Sequence, residues 1–292
     1  MSVPLAYISV ILIWTTTPLA IRWGVDEAGV WEAASLRMAL GAVTATVWLR
    51  LSGTRFPFDR RSRQAYLVTG LSIFGAMGLI YWASPKIPSG WIAVIFGLGP
   101  VATGFFSAPL LREKVGTRNR ILGLLLALAG LMTLFAEATQ LSAAAMVGVG
   151  AVFLGMIVHS GGSVGIKLLH AKVPAVAVTA GGLWVRTPLF LLAWAADGMH
   201  WSEPGPRGTA TIAYLGVIGS VIGWSLFFYV LKHVEAVRVA LITLITPVTA
   251  LLLGYGLADE PLSGRILAGT GLVVAGLAAY EWPGLRRWMR RG

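Results

Sequence analysis

The sequence predicts an all-α membrane protein: ten transmembrane helices in two five-helix repeats of inverted topology, both termini in the cytoplasm. Three observations predict it. The composition lacks a polar coat, the chain divides into ten apolar stretches, and its halves match each other in order. Of the 292 residues, 57% are hydrophobic and 12% charged, with a mean hydropathy of +0.77. A soluble domain carries about 25% charge, so this chain has too little polar surface to cover a water-soluble globule. A cytosolic enzyme and a disordered chain are excluded on that ground, and a disulfide scaffold by the absence of Cys. The net charge of +11 reads as a mark of the cytoplasmic side rather than a nucleic-acid footprint.

A helix needs about 20 largely apolar residues to cross the hydrocarbon. The stretches run over 4–21, 30–49, 65–83, 90–110 and 121–136, then 144–166, 174–196, 210–231, 239–258 and 266–280. Barrel strands would alternate polar and apolar residues over about ten positions, and these runs do not. The first stretch has no basic region ahead of it and reads as a retained helix, not a signal peptide. The fifth and tenth are short, and suit an upright helix or a locally thinned bilayer. The loops are too short for a soluble domain, which leaves all function to the bundle. With the termini inside, 17 Lys and Arg fall in cytoplasmic segments and four (Arg22, Lys86, Arg207 and Arg265) outside, while Arg37 and Arg186 lie within spans. That excess sets the orientation.

The halves, 1–138 and 139–292, correspond weakly but in order. Ile95, Pro100, Val101 and Glu113 match Ile242, Pro247, Val248 and Glu260, with a Pro-to-Glu spacing of 13 in both. Tyr66, Gly75 and Tyr81 match Tyr214, Gly223 and Tyr229 at an offset of 148, and Gly123 and Gly130 match Gly269 and Gly276. Arg22 and Arg37 have basic counterparts in Lys167 and Arg186. Five spans per unit is an odd number, so the second unit enters the membrane from the other side. Inverted repeats are a device of secondary transporters, in which two similar halves open a central site alternately to each face.

With its five-plus-five helices, a Trp-Thr run in the first span (Trp14, Thr15, Thr16 and Thr17) and two Pro…Glu units, the chain resembles the drug/metabolite transporter superfamily. Its EamA-type branch is the nearest, and the stretches Tyr81–Lys86 and Tyr229–Lys232 look like that group's aromatic and basic span ends. The resemblance covers essentially the whole chain. It implies an exporter of amino acids or related small metabolites in a bacterial inner (plasma) membrane, with no cofactor, as a monomer or homodimer.

Polar groups in hydrocarbon are costly, so their placement is informative. Arg186 lies mid-span and reads equally as a counter-charge for a substrate carboxylate or phosphate, or as a structural Arg bonded to carbonyls freed by a neighbouring Pro or Gly. Arg37 lies nearer its interface and reads first as structural. His159 precedes Ser160, Gly161, Gly162 and Ser163, a run that weakens its helix. It is a candidate for proton coupling against the more frequent silent core His. Pro100 and Pro247 interrupt matched spans near the midplane, with Thr103, Thr243, Thr246 and Thr249 close by. Matched breaks point to a central site, though kinks also merely shape bundles. Trp14, Tyr81, Trp224, Phe227, Phe228 and Tyr229 are candidates for an aromatic wall. The other Trp residues fit interfacial anchors. Substrate-binding candidates are therefore Arg186, His159, Trp14, Thr17, Tyr81, Pro100, Trp224, Tyr229, Thr246 and Pro247.

Glu113 and Glu260 read as helix caps or as partners of Lys114 and Arg265. No carboxylate lies mid-span, which favours facilitated diffusion, exchange or coupling through His159. The glycines at 123, 130, 269 and 276 read as close helix contacts, with a dimer through these helices conceivable. No phosphate-binding loop, hydrolase motif or metal-ligand spacing occurs. A membrane-embedded enzyme or flippase on a lipid-linked substrate is the alternative, and a non-transporting scaffold the third reading.

Overall fold

Helix starts and breaks follow the local chemistry of the chain. The computed structural model describes residues 2–111, 118–169, 173–233 and 236–289, with side chains described in these ranges except at 108, 109, 111, 138–141, 228, 231–233, 236–241, 244 and 283–289. Among the described residues the chain is helical, with no strand. Helix α1 (Val3–Ala28) carries Pro4 in its first turn, where a missing N–H costs nothing. A single Gly29 reverses the chain into α2 (Val30–Leu51). Asp59 starts α3 (Arg60–Ala83): its carboxylate accepts from the backbone N–H of Arg61 at 3.1 Å and of Ser62 at 3.2 Å, and from the Ser62 hydroxyl.

The predicted span 90–110 is two helices, α4 (Ser89–Phe96) and α5 (Gly99–Leu111). The break falls at Gly97 and Leu98, and Pro100 lies in the first turn of α5. A proline is accommodated at a helix start, so Pro100 begins a helix rather than bending one. Helices α6 (Arg118–Leu141), α7 (Ala143–Leu169) and α8 (Ala175–Ala196) follow. The predicted span 210–231 is a continuous run of α9 (Pro206–Tyr214), a π-helical stretch (Leu215–Ile222) and α10 (Gly223–His233). Helix α11 (Ala236–Ala258) contains Pro247 without a break, and α12 (Gly264–Met289) ends the described chain.

Seven described runs are long and apolar enough to cross a membrane: Val3–Ala28, Arg60–Ala83, Ser89–Ser107, Arg118–Glu137, Ala143–Leu169, Ala175–Ala196 and Pro206–Phe227. Ile245–Ala258 is a shorter apolar helix. Helix α2, which buries Glu32 and Arg37, is not among the seven. Leu5, Ile8 and Leu12 on α1, and Ile121, Leu125 and Met132 on α6, stand exposed in rows. Rows of large exposed aliphatics make a surface suited to hydrocarbon rather than water.

Packing runs mainly between the two halves of the chain. Helix α1 lies against α9, α10 and α11; α2 against α8 and the π stretch; α3 against α7 and α8; α4 against α11; and α6 against α12. The α6–α12 crossing is the closest approach. Gly123 faces Gly276 and Gly130 faces Gly269, so the helices run antiparallel with their backbones in contact. A Cβ on Gly130 would stand 2.6 Å from the Gly269 carbonyl oxygen, and one on Gly276 would stand 2.7 Å from that of Gly123. The four glycines that match between the halves thus meet crosswise, Gly123 on Gly276 and Gly130 on Gly269. Their faces are occupied within the chain and are unavailable for joining two copies.

Two outcomes test this account. Gly130→Val should destabilise the protein by about 1–3 kcal/mol, the range for overpacking a close contact. Gly150→Ala, whose added Cβ meets open space, should leave the unfolding midpoint in detergent unchanged. Hydrogen bonds from the Ser62 hydroxyl and then the Ser62 and Arg61 N–H groups hold Asp59 below the usual aspartate value. A depressed carboxylate stabilises the folded state above its unfolded pKa and loses that effect as pH falls through its folded value. The deficit of Asp59→Ala in thermal midpoint should therefore be full at neutral pH and fade below about pH 4.

Candidate functional site

Five aromatic rings from four helices meet inside the bundle: Trp14 on α1, Phe96 on α4, His159 on α7, and Trp224 and Phe227 on α10. Ring centroids lie 4.8 Å apart for Trp14–Phe227, 5.7 Å for Trp14–Trp224 and 5.9 Å for Trp224–Phe227. His159 joins Trp224 at 5.8 Å and Phe96 at 6.1 Å. Its imidazole makes no hydrogen bond among the described residues. All five rings are half-buried although they sit within helices. Tyr229, like Trp14 and Phe227, packs on a small core of Ala6, Val10, Val230 and Ile242. Such a cluster offers π faces to an apolar group or a cation.

Hydroxyls rim the cluster. Those of Thr15 and Thr249 lie 2.7 Å apart, tying α1 to α11, and those of Thr16 and Tyr214 2.6 Å apart, tying α1 to α9. Thr17 donates to the Ile13 carbonyl at 2.6 Å and is satisfied within its own helix. The helix break lies alongside. Ser160 donates to the Gly99 carbonyl at 3.4 Å, and a Cβ on Gly97 would stand 3.1 Å from the ring of Pro247. The two prolines matched in the sequence therefore serve differently. Pro100 starts a helix, whereas Pro247, buried beside Thr246 in an intact α11, packs on the break.

Tyr81 makes no ring contact with this cluster among the described residues. It is buried, and its hydroxyl accepts from Arg37 Nη1 at 3.3 Å, with the guanidinium 5.9 Å over its ring. Arg37 Nε donates to Ser220 Oγ at 3.0 Å in the π stretch. Arg186 Nε donates to Met38 Sδ at 3.2 Å. Arg37 is 3% exposed and Arg186 2% exposed. The sequence sets Arg37 nearer an interface, yet the fold buries it as completely as Arg186.

One end of the bundle gathers Arg22, Asp26, Lys86, Arg207, Asp259 and Glu260 around a polar cavity of about 550 Å³. Glu260 caps α4 across the halves, accepting from the N–H of Ser89 at 2.7 Å and of Gly90 at 3.3 Å. Its predicted partner Arg265 instead approaches Glu137 at 3.8 Å, because the α4 amides hold Glu260. Glu27 accepts from Gly208 N–H at 2.7 Å and from Arg207 Nε at 3.0 Å, closing α1 onto α9. Burial pushes the Lys86 ammonium below its usual value, and it donates to the Trp82 carbonyl at 2.6 Å. Glu113 and Lys114, and the side chains of Phe228 and Lys232, lie outside the described residues.

The chain has relatives of known family. Residues 1–136 and 146–280 match the model of the EamA-like transporter family. The chain belongs to that family. It is a transporter of the drug/metabolite superfamily rather than an enzyme, and an integral multi-pass membrane protein. An uncharacterized transporter of Archaeoglobus fulgidus is 26% identical over 90% of this chain and 93% of its own length. The uncharacterized inner membrane transporter YedA of Escherichia coli is 26% identical, over 92% and 87%. A probable terminal-alkyne amino-acid exporter of Streptantibioticus cattleyicolor is 24% identical, over 93% and 91%. A solved crystal structure 20% identical to this EamA-family chain shares its fold, with a TM-score of 0.66 over 96% of both chains.

Within this EamA-family transporter the structure groups Trp14, His159, Trp224 and Phe227 with Phe96, sets Arg37 against Tyr81 and Ser220, and sets Arg186 against Met38. Phe96 and Ser220 escape sequence reading. Phe96 directly precedes the Gly97–Leu98 break, a signal within reach; Ser220 depends on a π stretch that no composition announces. If the aromatic cluster holds the substrate, Trp224→Ala should lower transport at least about tenfold with the protein still folded. Trp224→Phe should retain most of it, measured as uptake per mole of reconstituted protein.

Proposed function

We propose that this protein is a secondary exporter of small metabolites, amino acids or related compounds, working by alternating access in a bacterial inner membrane. Ten spans in two five-helix repeats, 1–138 and 139–292, would place both termini in the cytoplasm and the aromatic cluster on the axis between the repeats. The observation that carries the reading is that cluster: it draws rings from both halves and is rimmed by hydroxyls of α1, α9 and α11. Rocking of one repeat against the other opens it to each face in turn. Trp14, Trp224 and Tyr229 hold the apolar part of the substrate, Arg186 and Tyr81 lie on its cationic side, and Thr17, Thr246, Pro100 and Pro247 shape the helices around it. The amino-acid exporter of Streptantibioticus cattleyicolor and the inner membrane transporter YedA support the substrate class and the location.

A second reading, movement of a lipid-linked substrate, has one feature in its favour. An apolar cavity of about 200 Å³ lies between α5, α6, α7 and α12. Its rim residues Phe105, Ile121 and Leu128 are exposed on the lipid-facing surface.

Counterflow into proteoliposomes with a panel of labelled amino acids, against protein-free vesicles, separates the two. Saturable exchange of panel members supports the exporter. No exchange of any amino acid, with movement of a lipid-linked substrate in the same vesicles, overturns it. His159→Gln should flatten any dependence of exchange on a pH gradient; unchanged pH behaviour removes His159 from coupling.

A further inference from the structure

We propose that Arg37 and Arg186 form one anion-binding site that takes the carboxylate of the transported compound, making Arg37 a specificity-determining residue. This rests on the carrier reading above. The two residues occupy corresponding places in the ordered matches between the halves, and the packing of α2 on α8 brings them to one wall. Met38, the neighbour of Arg37, is the group that Arg186 touches at 3.2 Å. Among the described residues neither pairs with a carboxylate and neither donates to a backbone carbonyl, which is how a structural buried Arg is ordinarily satisfied. Arg37 uses Nε on Ser220 and Nη1 on Tyr81; Arg186 uses Nε alone, on a thioether that is a weak acceptor.

Two like charges buried without a counter-ion are expensive, and an anion between them offsets that cost. A neighbouring orphan points the same way. A Cβ on Gly182 would stand 2.7 Å from the Thr69 methyl, 3.2 Å from the Thr69 Cβ and 3.6 Å from Arg186 Nη1, which puts the Thr69 side chain, though not its hydroxyl in particular, near the guanidinium. The buried Thr69 hydroxyl has no partner among the described residues. A guanidinium fork with a threonine side chain beside it matches a carboxylate, which accepts two parallel N–H bonds and an O–H. Ser220, the acceptor for Arg37, lies about one turn before Trp224 on the same continuous helical run. A substrate whose carboxylate reaches the arginines thus points its apolar part at Trp224 and Trp14. Glu27, Glu137 and Glu260 are engaged by Gly208, Ser263 and the α4 amides, and the aromatic cluster offers a substrate ammonium its ring faces. The carboxylate is therefore the obligatory feature and the ammonium is not.

Three phenyl compounds test this on the purified full-length protein: L-phenylalanine, 3-phenylpropionate, which lacks the ammonium, and phenethylamine, which lacks the carboxylate. Each is titrated while the thermal unfolding midpoint is followed, with inorganic phosphate as a fourth probe. L-Phenylalanine and 3-phenylpropionate should both raise the midpoint, and phenethylamine should not. Arg37→Gln and Arg186→Gln should each weaken that response at least about tenfold in concentration. Arg37→Lys keeps the charge but loses the fork, should fold, and should weaken it measurably; it decides the matter if Arg37→Gln does not fold. The proposal is overturned if phenethylamine acts like 3-phenylpropionate, if neither carboxylate shifts the midpoint, or if Arg37→Lys leaves the response unchanged. It is also overturned if phosphate alone reproduces the full Arg-dependent shift, which would assign the site to an inorganic ion. Arg-dependent binding without counterflow would overturn the carrier reading alone; counterflow without Arg-dependent binding would overturn this site alone.

Discussion

Hydrocarbon offers no hydrogen bonds, so every polar group within the bundle must find its partner inside the protein. That constraint orders the rest of the structure. At the break between α4 and α5 it is met locally: Gly97 N–H reaches the Ala93 carbonyl at 2.9 Å, Leu98 N–H that of Ile95 at 3.0 Å, and Ser160 supplies a donor to Gly99. Threonine hydroxyls in α1 fold back on their own helix or meet a hydroxyl from the opposite half. Among the described residues the constraint is left open at several buried hydroxyls, those of Ser35, Thr69 and Thr187 among them, and Arg186 finds only a thioether for its Nε.

The same constraint explains why the halves are tied by backbone amides rather than by surface ion pairs. Glu260 from the loop before α12 and Glu27 from the end of α1 both bind the free N–H groups that every helix start exposes. Each such cap contributes about 0.5–2 kcal/mol and, unlike an exposed salt bridge, is made at a fixed place on the partner helix. Against this, the glycine crossing of α6 and α12 allows no separation: two backbones in contact cannot slide without losing most of their dispersion contacts. The bundle thus combines one permanent seam with end contacts that depend on a single carboxylate each.

Much of the site was readable before folding. Trp14, His159 and Trp224 stand out as large polar-aromatic residues at apolar depth, and the fold brings all three into contact. Tyr81 was grouped with them by residue type and is instead a partner of Arg37, because α3 turns that face toward α2. Phe96 is marked in the sequence only by its place before the Gly97–Leu98 break, since a Phe in an apolar run is otherwise ordinary core. Arg37 was read as structural by its distance along α2 from the helix end. Distance along a helix measures depth only for a helix standing free in lipid; here α8 and the π stretch pack on α2, and Arg37 is buried.

Sequence alone determined the solvent and the element type. A chain with 12% charge has no other way to bury its apolar residues, and in lipid a backbone that is not a closed barrel must be helical. It also marked Gly123, Gly130, Gly269 and Gly276 as places of close helix approach, since residues without side chains permit backbone contact. Only the tertiary structure decided how the matched prolines diverge, where the run from Pro206 to His233 widens into a π stretch, which helix Glu260 caps, and that Arg186 meets Met38. Each of these depends on which face a helix turns to a neighbour distant in sequence. That choice is made by the packing of the whole bundle and leaves no trace in local spacing.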